Sequence, residues 1–330
     1  MASLHDLPDN GSRAGRPVPP RSINYKRRGE IYRWLHRGVI FAGSLAIMLV
    51  VLMPVAWLVS SSLQTEAEIV SVPPHWIPDE PTLRNFKAIF TADEGPVSYE
   101  TRNRQDPASG SFIPSTAKNL LPAMFNSFAV ATLVVVLNLL VGLPAAYAMA
   151  KIRFRGRTGS VYFILATRVI PDIALVVPFF LVIKNLGLLD SILSLVVTYL
   201  AITVPFTVFI LIQYFESLPD ELDKAARVDG CSRLQTLTHV YLPLSLPSIV
   251  AVILFAFLTS WNEFLLALMF TQTVSSQTLP IVLASFTSDF TISFSFINAA
   301  GLLAIVPPVI IAIVFERYIV SGLTAGAVKG

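Results

Sequence analysis

The sequence predicts an all-α polytopic membrane protein with six transmembrane helices, and three observations support this fold class. Hydrophobic residues make up 54% of the 330 residues, and charged residues only 14%. Soluble domains carry about 25% charged residues, and the mean hydropathy here is +0.67, so lipid is the expected solvent for much of the chain. Six apolar runs are each long enough to cross a bilayer, which takes about 20 residues.

The six runs set the predicted order of the chain. They cover residues 38–61, 124–150, 160–183, 191–214, 247–270 and 296–318. The predicted organisation is a basic N-terminal tail (1–37), a first span (38–61), an extracytoplasmic loop (62–122), a core of five spans (123–318) with a polar loop at 217–246, and a C-terminal tail (319–330).

The distribution of positive charge predicts the orientation of these spans. The first 38 residues carry eight Lys and Arg, whereas residues 62–122 hold five against eight acids. Four more basic residues and no acid follow the second span, at Lys151, Arg153, Arg155 and Arg157. Because basic loops stay on the cytosolic side, both termini and the 217–246 loop are expected in the cytosol. The basic tail also fits a nucleic-acid-binding arm, but its place beside an apolar helix favours a membrane flank.

The polar loop Glu221–Pro247 is predicted to form two short helices. Ser217 is the expected N-cap of the first helix, and Gly230 provides the turn where that helix must stop. Ser232 and Gln235 form a capping-box pattern for the second helix. An ordinary amphipathic loop between two spans would show the same pattern, so the helices alone do not indicate a function.

The order and spacing of particular residues give this loop a more specific likeness. Ala225-Ala226, Asp229-Gly230, Leu242-Pro243 and Pro247 follow one another between two apolar runs. The stretch resembles the "EAA" coupling loop in the membrane subunits of ABC-type importers. Lys224 stands where that motif has Glu, which is a departure from the family's pattern.

The resemblance extends over most of the chain. Five segments are similar to carbohydrate-importer permeases, in particular to the maltose-type second permease. They are Val72–Phe90, Asn126–Phe128, Ala145–Ala148, Ser260–Phe264 and Gly322–Gly330. The likeness covers about residues 63–90 and 120–330, and it implies the type I ABC importer permease fold. Residues 91–118 are rich in Pro, Gly, Ser and charge, and they are interpreted as an insertion or a disordered loop.

The resemblance also implies a function and a set of partners. The function is that of a permease subunit that moves a sugar, or a related polyol or glycoside, across the cytoplasmic membrane. The implied partners are a second permease in a heterodimer, two cytosolic ATPase subunits and an extracytoplasmic substrate-binding protein, with no nucleic acid. ATP and Mg would bind to the ATPase subunits, so this chain is expected to be no enzyme and to hold no cofactor or metal. In agreement, it contains neither a GxxxxGK[ST] phosphate loop nor an HExxH motif.

Two groups of residues are implied to contact the ATPase subunits, one in the polar loop and one in the C-terminal tail. They are Glu221, Asp223, Lys224, Ala225, Ala226, Asp229 and Gly230, and then Gly326, Lys329 and Gly330. In the family, the tail reaches into the interface between the two ATPase subunits.

Four polar residues inside the spans are candidates for the substrate path, because charge at mid-bilayer costs about 2.5–3.5 kcal/mol and therefore faces protein or water. Arg168 and Asp172 are expected to pair on one face of the third span. The pair either locks this helix against a neighbour or lines the path. Asn262 and Glu263, beside Trp261, carry groups that bind sugar hydroxyls. They either point inward or pack against another helix, since consecutive helical residues lie about 100° apart.

Two other classes of protein stay open from the residues alone. In a transporter or channel driven by an ion gradient, Arg168, Asp172 and Glu263 would form a proton or ion relay. Inverted repeats would favour that class, and none is visible. A membrane enzyme or an assembly subunit is the other class, but no nucleophile–base or metal-ligand pattern supports an enzyme.

Overall fold

The computed structural model describes residues 25–91, 115–287 and 293–327, and helices dominate these ranges. The helices are α1 (Tyr25–Ser62), α2 (Glu66–Ile69), α3 (Arg84–Thr91), α4 (Leu120–Lys151), α5 (Arg157–Thr167), α6 (Asp172–Asn185), α7 (Ile192–Ser217), α8 (Asp220–Val228), α9 (Arg233–Thr236), α10 (Leu242–Leu244), α11 (Leu246–Asn262), α12 (Leu265–Phe270), α13 (Leu279–Ser285) and α14 (Phe294–Ala327). A 3₁₀ turn at Ser115–Asn119 precedes α4, and a π turn at Leu237–Tyr241 joins α9 to α10.

Within the described ranges, four helices are long and apolar enough to cross a membrane. They are Arg33–Ser62 in α1, Thr116–Lys151 with α4, the whole of α7, and Phe294–Tyr318 in α14. Two bent pairs are further candidates: α5 and α6 meet at 98°, and the Arg233–Leu244 segment meets α11 at 86°. The count is therefore four spans, or up to six if each bent pair is one span, and the number six stays a prediction.

The chain divides into two units, residues 1–55 and 56–330. In the first unit, the described side chains from Arg33 to Val55 are all exposed. Val39 and Phe41, for example, expose 71% and 70% of their surface. Such a length of exposed apolar side chains fits a helix that faces lipid, because lipid tails are as apolar as the side chains themselves.

In the second unit, α4 and α7 form the most extensive helix pair. They approach closely at Gly142, where an added Cβ would lie 2.9 Å from Cγ2 of Thr207. Glycine at this position therefore lets the two backbones approach. Among the described residues, buried apolar side chains form three clusters along α4. Their largest members are Phe257, Trp261, Phe286 and Phe296 in the first, Tyr199 and Phe270 in the second, and Tyr147, Phe215 and Tyr241 in the third.

The prediction that Arg168 and Asp172 pair on one face of a single third span is wrong. Arg168 caps the end of α5, and Asp172 begins α6 on the other side of the 98° bend. The bend has a local cause, since Pro171 lacks an amide hydrogen and disfavours the helical conformation in the residue before it. Arg168 instead donates from Nη1 to the carbonyl of Ile202 on α7, at 2.9 Å.

The loop between α12 and α13 is fastened to the start of α7 and to α4. Oδ1 of Asp190, just before α7, accepts hydrogen bonds from the backbone amides of Gln272 and Thr273, at 2.8 and 2.9 Å, and from the hydroxyl of Ser276. These bonds, led by the one from Ser276, hold the pKa of Asp190 well below its usual range. Asn126 on α4 donates to two carbonyls of the same loop, at 3.1 and 2.9 Å. The loop is thus tied from two sides.

Candidate coupling surface formed by α8 and α9

The helix α8 begins directly after the end of α7. Three acids, Asp220, Glu221 and Asp223, lie in its first turn, where they interact favourably with the partial positive charge of the helix N-terminus. The residue before α8 is Pro219, and it makes no side-chain capping bond. The prediction of Ser217 as the N-cap is therefore wrong: α7 continues through this residue, and its hydroxyl donates to a carbonyl in the last turn of α7.

The turn predicted between the two short helices is confirmed at Gly230. Its φ of +84° lies in the left-handed region that favours glycine. The amide of Cys231 donates to the carbonyl of Ala226 at 2.9 Å, which closes the end of α8. The predicted capping box of α9 is also confirmed, because Ser232 N donates to Gln235 Oε1 at 2.8 Å and Gln235 N donates to Ser232 Oγ at 3.3 Å.

The π turn that follows α9 packs onto the ends of α4 and α7. Leu237 is buried there, and Tyr241 is fully buried. The ring of Tyr241 meets those of Tyr147 on α4 and Phe215 on α7 edge to face, with centroids 5.1 and 5.6 Å apart. Such aromatic pairs fix the position of an element through both buried area and ring geometry.

Two hydrogen bonds connect α4 to α8, and a third connects α4 to the short linker between α7 and α8. The Tyr147 hydroxyl donates to Oδ1 of Asp223 at 2.6 Å. Nζ of Lys151 donates to Oδ1 of Asp220 at 2.7 Å and to the carbonyl of Leu218 at 2.8 Å. The hydrogen bond from Lys151, together with its charge, lowers the pKa of Asp220. A displacement of α8 therefore pulls directly on the end of α4.

The opposite side of α8 and α9 is open and partly apolar. Val228 exposes 88% of its surface and Leu234 exposes 67%. Five of the predicted coupling residues are exposed: Glu221, Lys224, Ala225, Asp229 and Gly230. Ala226 is buried, and Asp223 faces α4. An apolar patch with a charged rim is the usual composition of a surface that binds another protein.

The remaining predicted coupling residues belong to the C-terminal tail. Gly326 lies in the last turns of α14. Lys329 and Gly330 lie outside the described residues. The described residues therefore include the whole loop group but only Gly326 of the tail group.

Glu263 lies at a break that divides the predicted fifth span into α11 and α12. Its carboxylate accepts from the backbone amides of Leu266 and Ala267 at 2.8 and 3.1 Å, and from the hydroxyl of Tyr199 on α7 at 2.6 Å. The amides at the start of α12 are thereby satisfied within the protein, as apolar surroundings require. Sequence reasoning missed Tyr199, because nothing local in α7 marks it as a partner.

The other candidates for the substrate path have separate surroundings. Asn262 is exposed and donates from Nδ2 to the carbonyl of Leu258 in its own helix, at 2.9 Å. Trp261 is buried and stacks on Phe257, with centroids 5.7 Å apart. Asp172 is exposed at the start of α6.

Arg168 and Glu263 both reach the same turn of α7. The acceptor of Arg168 is the carbonyl of Ile202, and the donor to Glu263 is the hydroxyl of Tyr199. These two positions are three residues apart, which is about 4.5 Å along a helix. Arg168 and Glu263 therefore both bind to this part of α7.

The bundle of long apolar helices and the exposed surface of α8 and α9 define a polytopic membrane protein. The model of the family described as "Binding-protein-dependent transport system inner membrane component" matches residues 138–324. Among curated proteins, the sulfoquinovosyl glycerol transport system permease protein SmoH of Agrobacterium fabrum is 34% identical over 279 residues, which cover 84% of this chain and 89% of that protein. The chain belongs to the family of binding-protein-dependent transport system inner membrane components.

Two further relatives match this chain over nearly their whole length. The trehalose/maltose transport system permease protein MalG of Thermococcus litoralis is 33% identical and the inner membrane ABC transporter permease protein YcjP of Escherichia coli K12 is 30% identical, each over 90% of this chain and 98% of the relative. A chain from the crystal structure of a bacterial ABC transporter that imports the acidic polysaccharide alginate has a similar fold, with a TM-score of 0.67 and 23% identity over 86% of this chain and 96% of that one. Family membership implies an ATPase and a substrate-binding protein as partners, and it favours the importer class over an ion-gradient-driven transporter.

Proposed function

We propose that this chain is the permease subunit through which an ATP-driven importer moves a sugar, or a related polyol or glycoside, across the cytoplasmic membrane. The names of the relatives support this substrate class, since they refer to sulfoquinovosyl glycerol and to trehalose and maltose. ATP and Mg bind to partner ATPase subunits, which hydrolyse the ATP. A second permease completes a heterodimer with this chain.

The observation that carries the proposal is the two-sided construction of α8 and α9. Their open side exposes Val228 and Leu234, where an ATPase subunit would bind. Their packed side is tied to α4 through Tyr147 and Lys151. Movement of the ATPase subunits is passed through these contacts to the spans, which alternate between outward-open and inward-open states. This coupling requires that the surface binds the two states of the ATPase with different affinity.

The basic residues around this surface support a cytosolic location for it. Residues 151–157, at the end of α4 and in the loop that follows it, carry four Lys and Arg and no acid, and the α8–α9 segment adds Lys224, Arg227 and Arg233. Basic residues beside a span favour the cytosolic side, and acids count little in this rule. We place both termini on that side too. Arg168, Asp172, Asn262 and Glu263 stay candidates for the substrate path, and of these Arg168 and Glu263 form hydrogen bonds with α7.

Replacement of Gly230 by valine tests the coupling role. A β-branched residue at φ +84° costs about 1–3 kcal/mol in backbone strain, while open space around the Cβ position avoids a clash. We expect Gly230→Val to shift α9 and abolish uptake, while membrane insertion stays normal. The measurements are uptake of labelled sugar in vesicles, and co-purification with the ATPase subunit.

The matched control is Gly187→Val, in the loop between α6 and α7. Gly187 also has a positive φ, +69°, and open space at its Cβ position, so the substitution adds similar strain away from α8 and α9. Uptake should persist in this variant. Normal uptake in Gly230→Val would refute the coupling role.

A further inference from the structure

A groove of about 520 Å³ lies between the end of α4, the loop that follows it, and the α8–α9 segment. This volume falls within the range of ligand pockets, about 300–1,000 Å³. Its charged lining consists of six basic residues and two acids: Lys151, Arg153, Arg157, Lys224, Arg227 and Arg233, with Asp220 and Asp223. Positive charge therefore exceeds negative charge along the groove.

The two acids of the groove are already engaged within the protein. Asp220 accepts from Lys151, and Asp223 accepts from the hydroxyl of Tyr147. Arg157 is paired with Glu216 outside the groove. The four basic residues left over make no ion pair within 4 Å and no side-chain hydrogen bond to the described part of the chain: they are Arg153, Lys224, Arg227 and Arg233. Four cations around one concave surface focus a positive potential that favours an anion.

The position of the groove indicates which kind of anion would reach it. The candidate span that contains α4 ends at Lys151, in the groove wall, so the groove opens at the boundary of the apolar helices. Phe154, between two arginines in the adjoining loop, exposes 43% of its surface. Helix α5 starts at Arg157 in the groove wall and exposes Tyr162 and Phe163 by 68% and 71%. A ligand with an anionic head and an apolar tail matches both features.

We propose that this groove binds the phosphate headgroup of an anionic phospholipid. Arg153 comes from the loop after α4, and Arg227 and Arg233 come from α8 and α9. The phosphate would therefore bridge the end of α4 and the α8–α9 segment, and would neutralise charges that otherwise repel one another. The proposal requires only that the chain lies in a membrane, so its test does not depend on the coupling role of Gly230.

The test measures retention of defined lipids by the full-length chain with native mass spectrometry. The probes are phosphatidylglycerol and phosphatidylcholine with the same acyl chains. The wild-type chain should retain phosphatidylglycerol in preference to phosphatidylcholine. The double variant Arg153→Gln/Arg233→Gln should bind phosphatidylglycerol about 25-fold more weakly, since each basic residue near an anionic surface contributes roughly fivefold in affinity.

A second double variant is the matched control. Arg155 is in the same loop but outside the groove lining, and Lys184 is at the end of α6. Arg155→Gln/Lys184→Gln removes the same charge and should retain phosphatidylglycerol as the wild type does. Equal retention of both lipids by the wild-type chain, or equal losses in the two double variants, would overturn the proposal.

Two other outcomes would assign the groove to a different ligand. If inorganic phosphate displaces phosphatidylglycerol at a concentration equal to that of the lipid, the acyl chains contribute nothing to binding, so the site binds a soluble anion and the lipid assignment is wrong. If Arg153→Gln/Arg233→Gln loses its ATPase partner while lipid retention is unchanged, the groove is a protein interface. The wild-type lipid preference needs no variant, so a variant that fails to fold still leaves the proposal open to refutation.

Discussion

The two ends of α7 are fastened to the rest of the helices by different kinds of contact. Before the first turn, Asp190 accepts two backbone amides and a hydroxyl from the loop between α12 and α13. After the last turn, α8 is held by side chains of α4, through the Tyr147–Asp223 and Lys151–Asp220 pairs. Asp220 in the second pair has a side chain that is 69% exposed.

The difference shows that the chain fixes its own conformation at the Asp190 end of α7, whereas the α8 end is available to a partner. Backbone amides that donate to one carboxylate define the path of a loop, because the donors have little freedom of their own. Exposed ion pairs contribute little by themselves, and α8 and α9 also present open apolar side chains such as Val228. We therefore expect the α8 end to respond to perturbation more readily than the Asp190 end.

The largest effect is expected between the two ends, at Gly142. In Gly142→Ala the new methyl group would lie 2.9 Å from Cγ2 of Thr207, and overpacking of this kind typically costs about 1–3 kcal/mol. This contact holds α4 against α7, so the structure should loosen at both ends of α7. Thermal unfolding of the purified protein would measure the loss.

A second substitution tests the cause of that loss. Thr207→Ser removes Cγ2 and keeps the hydroxyl, so Gly142→Ala/Thr207→Ser should recover most of the lost stability. An equal loss in the double variant would show that the close approach of α4 and α7 is not the reason for glycine at this position.

An intermediate effect is expected when each end is loosened separately. Tyr147→Phe keeps the ring but removes the hydrogen bond to the carboxyl group of Asp223, and a hydrogen bond to a charged group contributes about 1.5–3 kcal/mol. Hydrogen exchange of α8 amides should rise about tenfold or more, with little change at Gln272 and Thr273. Asp190→Asn should do the reverse. Equal changes at both ends in either variant would contradict the view that they are fastened independently.

The smallest effect is expected from acid. Because Lys151 lowers the folded-state pKa of Asp220, the carboxylate stabilises the fold fully above its ordinary pKa of about 4 and loses that contribution as pH falls through the lowered value. Asp190 has a pKa that is lowered further, so its end should hold to lower pH. Hydrogen exchange can be followed as pH falls from above to below the ordinary carboxyl pKa of about 4 and corrected for the intrinsic rate. The amides of α8 should then lose protection at a higher pH than the loop at Gln272. The reverse order would contradict the assignment.

The sequence predicted the features that local patterns determine. Apolar runs predicted the long helices, and Gly230 with the Ser232–Gln235 box predicted the turn and the start of α9, as the structure confirms. These features depend on residues within a few positions of one another. The same local rules contained the signal for the break at Pro171, but the hydropathy of the run as a whole favoured one straight span.

The contacts that position the candidate surface could not be predicted in this way. Tyr147 and Asp223 are 76 residues apart, Lys151 and Asp220 are 69 apart, and Tyr199 and Glu263 are 64 apart. Each pairing depends on how helices lie against one another, which no periodicity within a single helix records. The prediction for Arg168 failed for the same reason, because its acceptor is on α7.

Cys231 is a natural attachment site for a spectroscopic label. It is the only cysteine in the sequence, and it follows Gly230 at the turn between α8 and α9 with a partly exposed side chain. A fluorophore or spin label attached to this thiol would need no engineered cysteine and no background correction from a second site in the chain. Its signal would come from the region where the proposed ATPase contact forms and releases during each transport cycle.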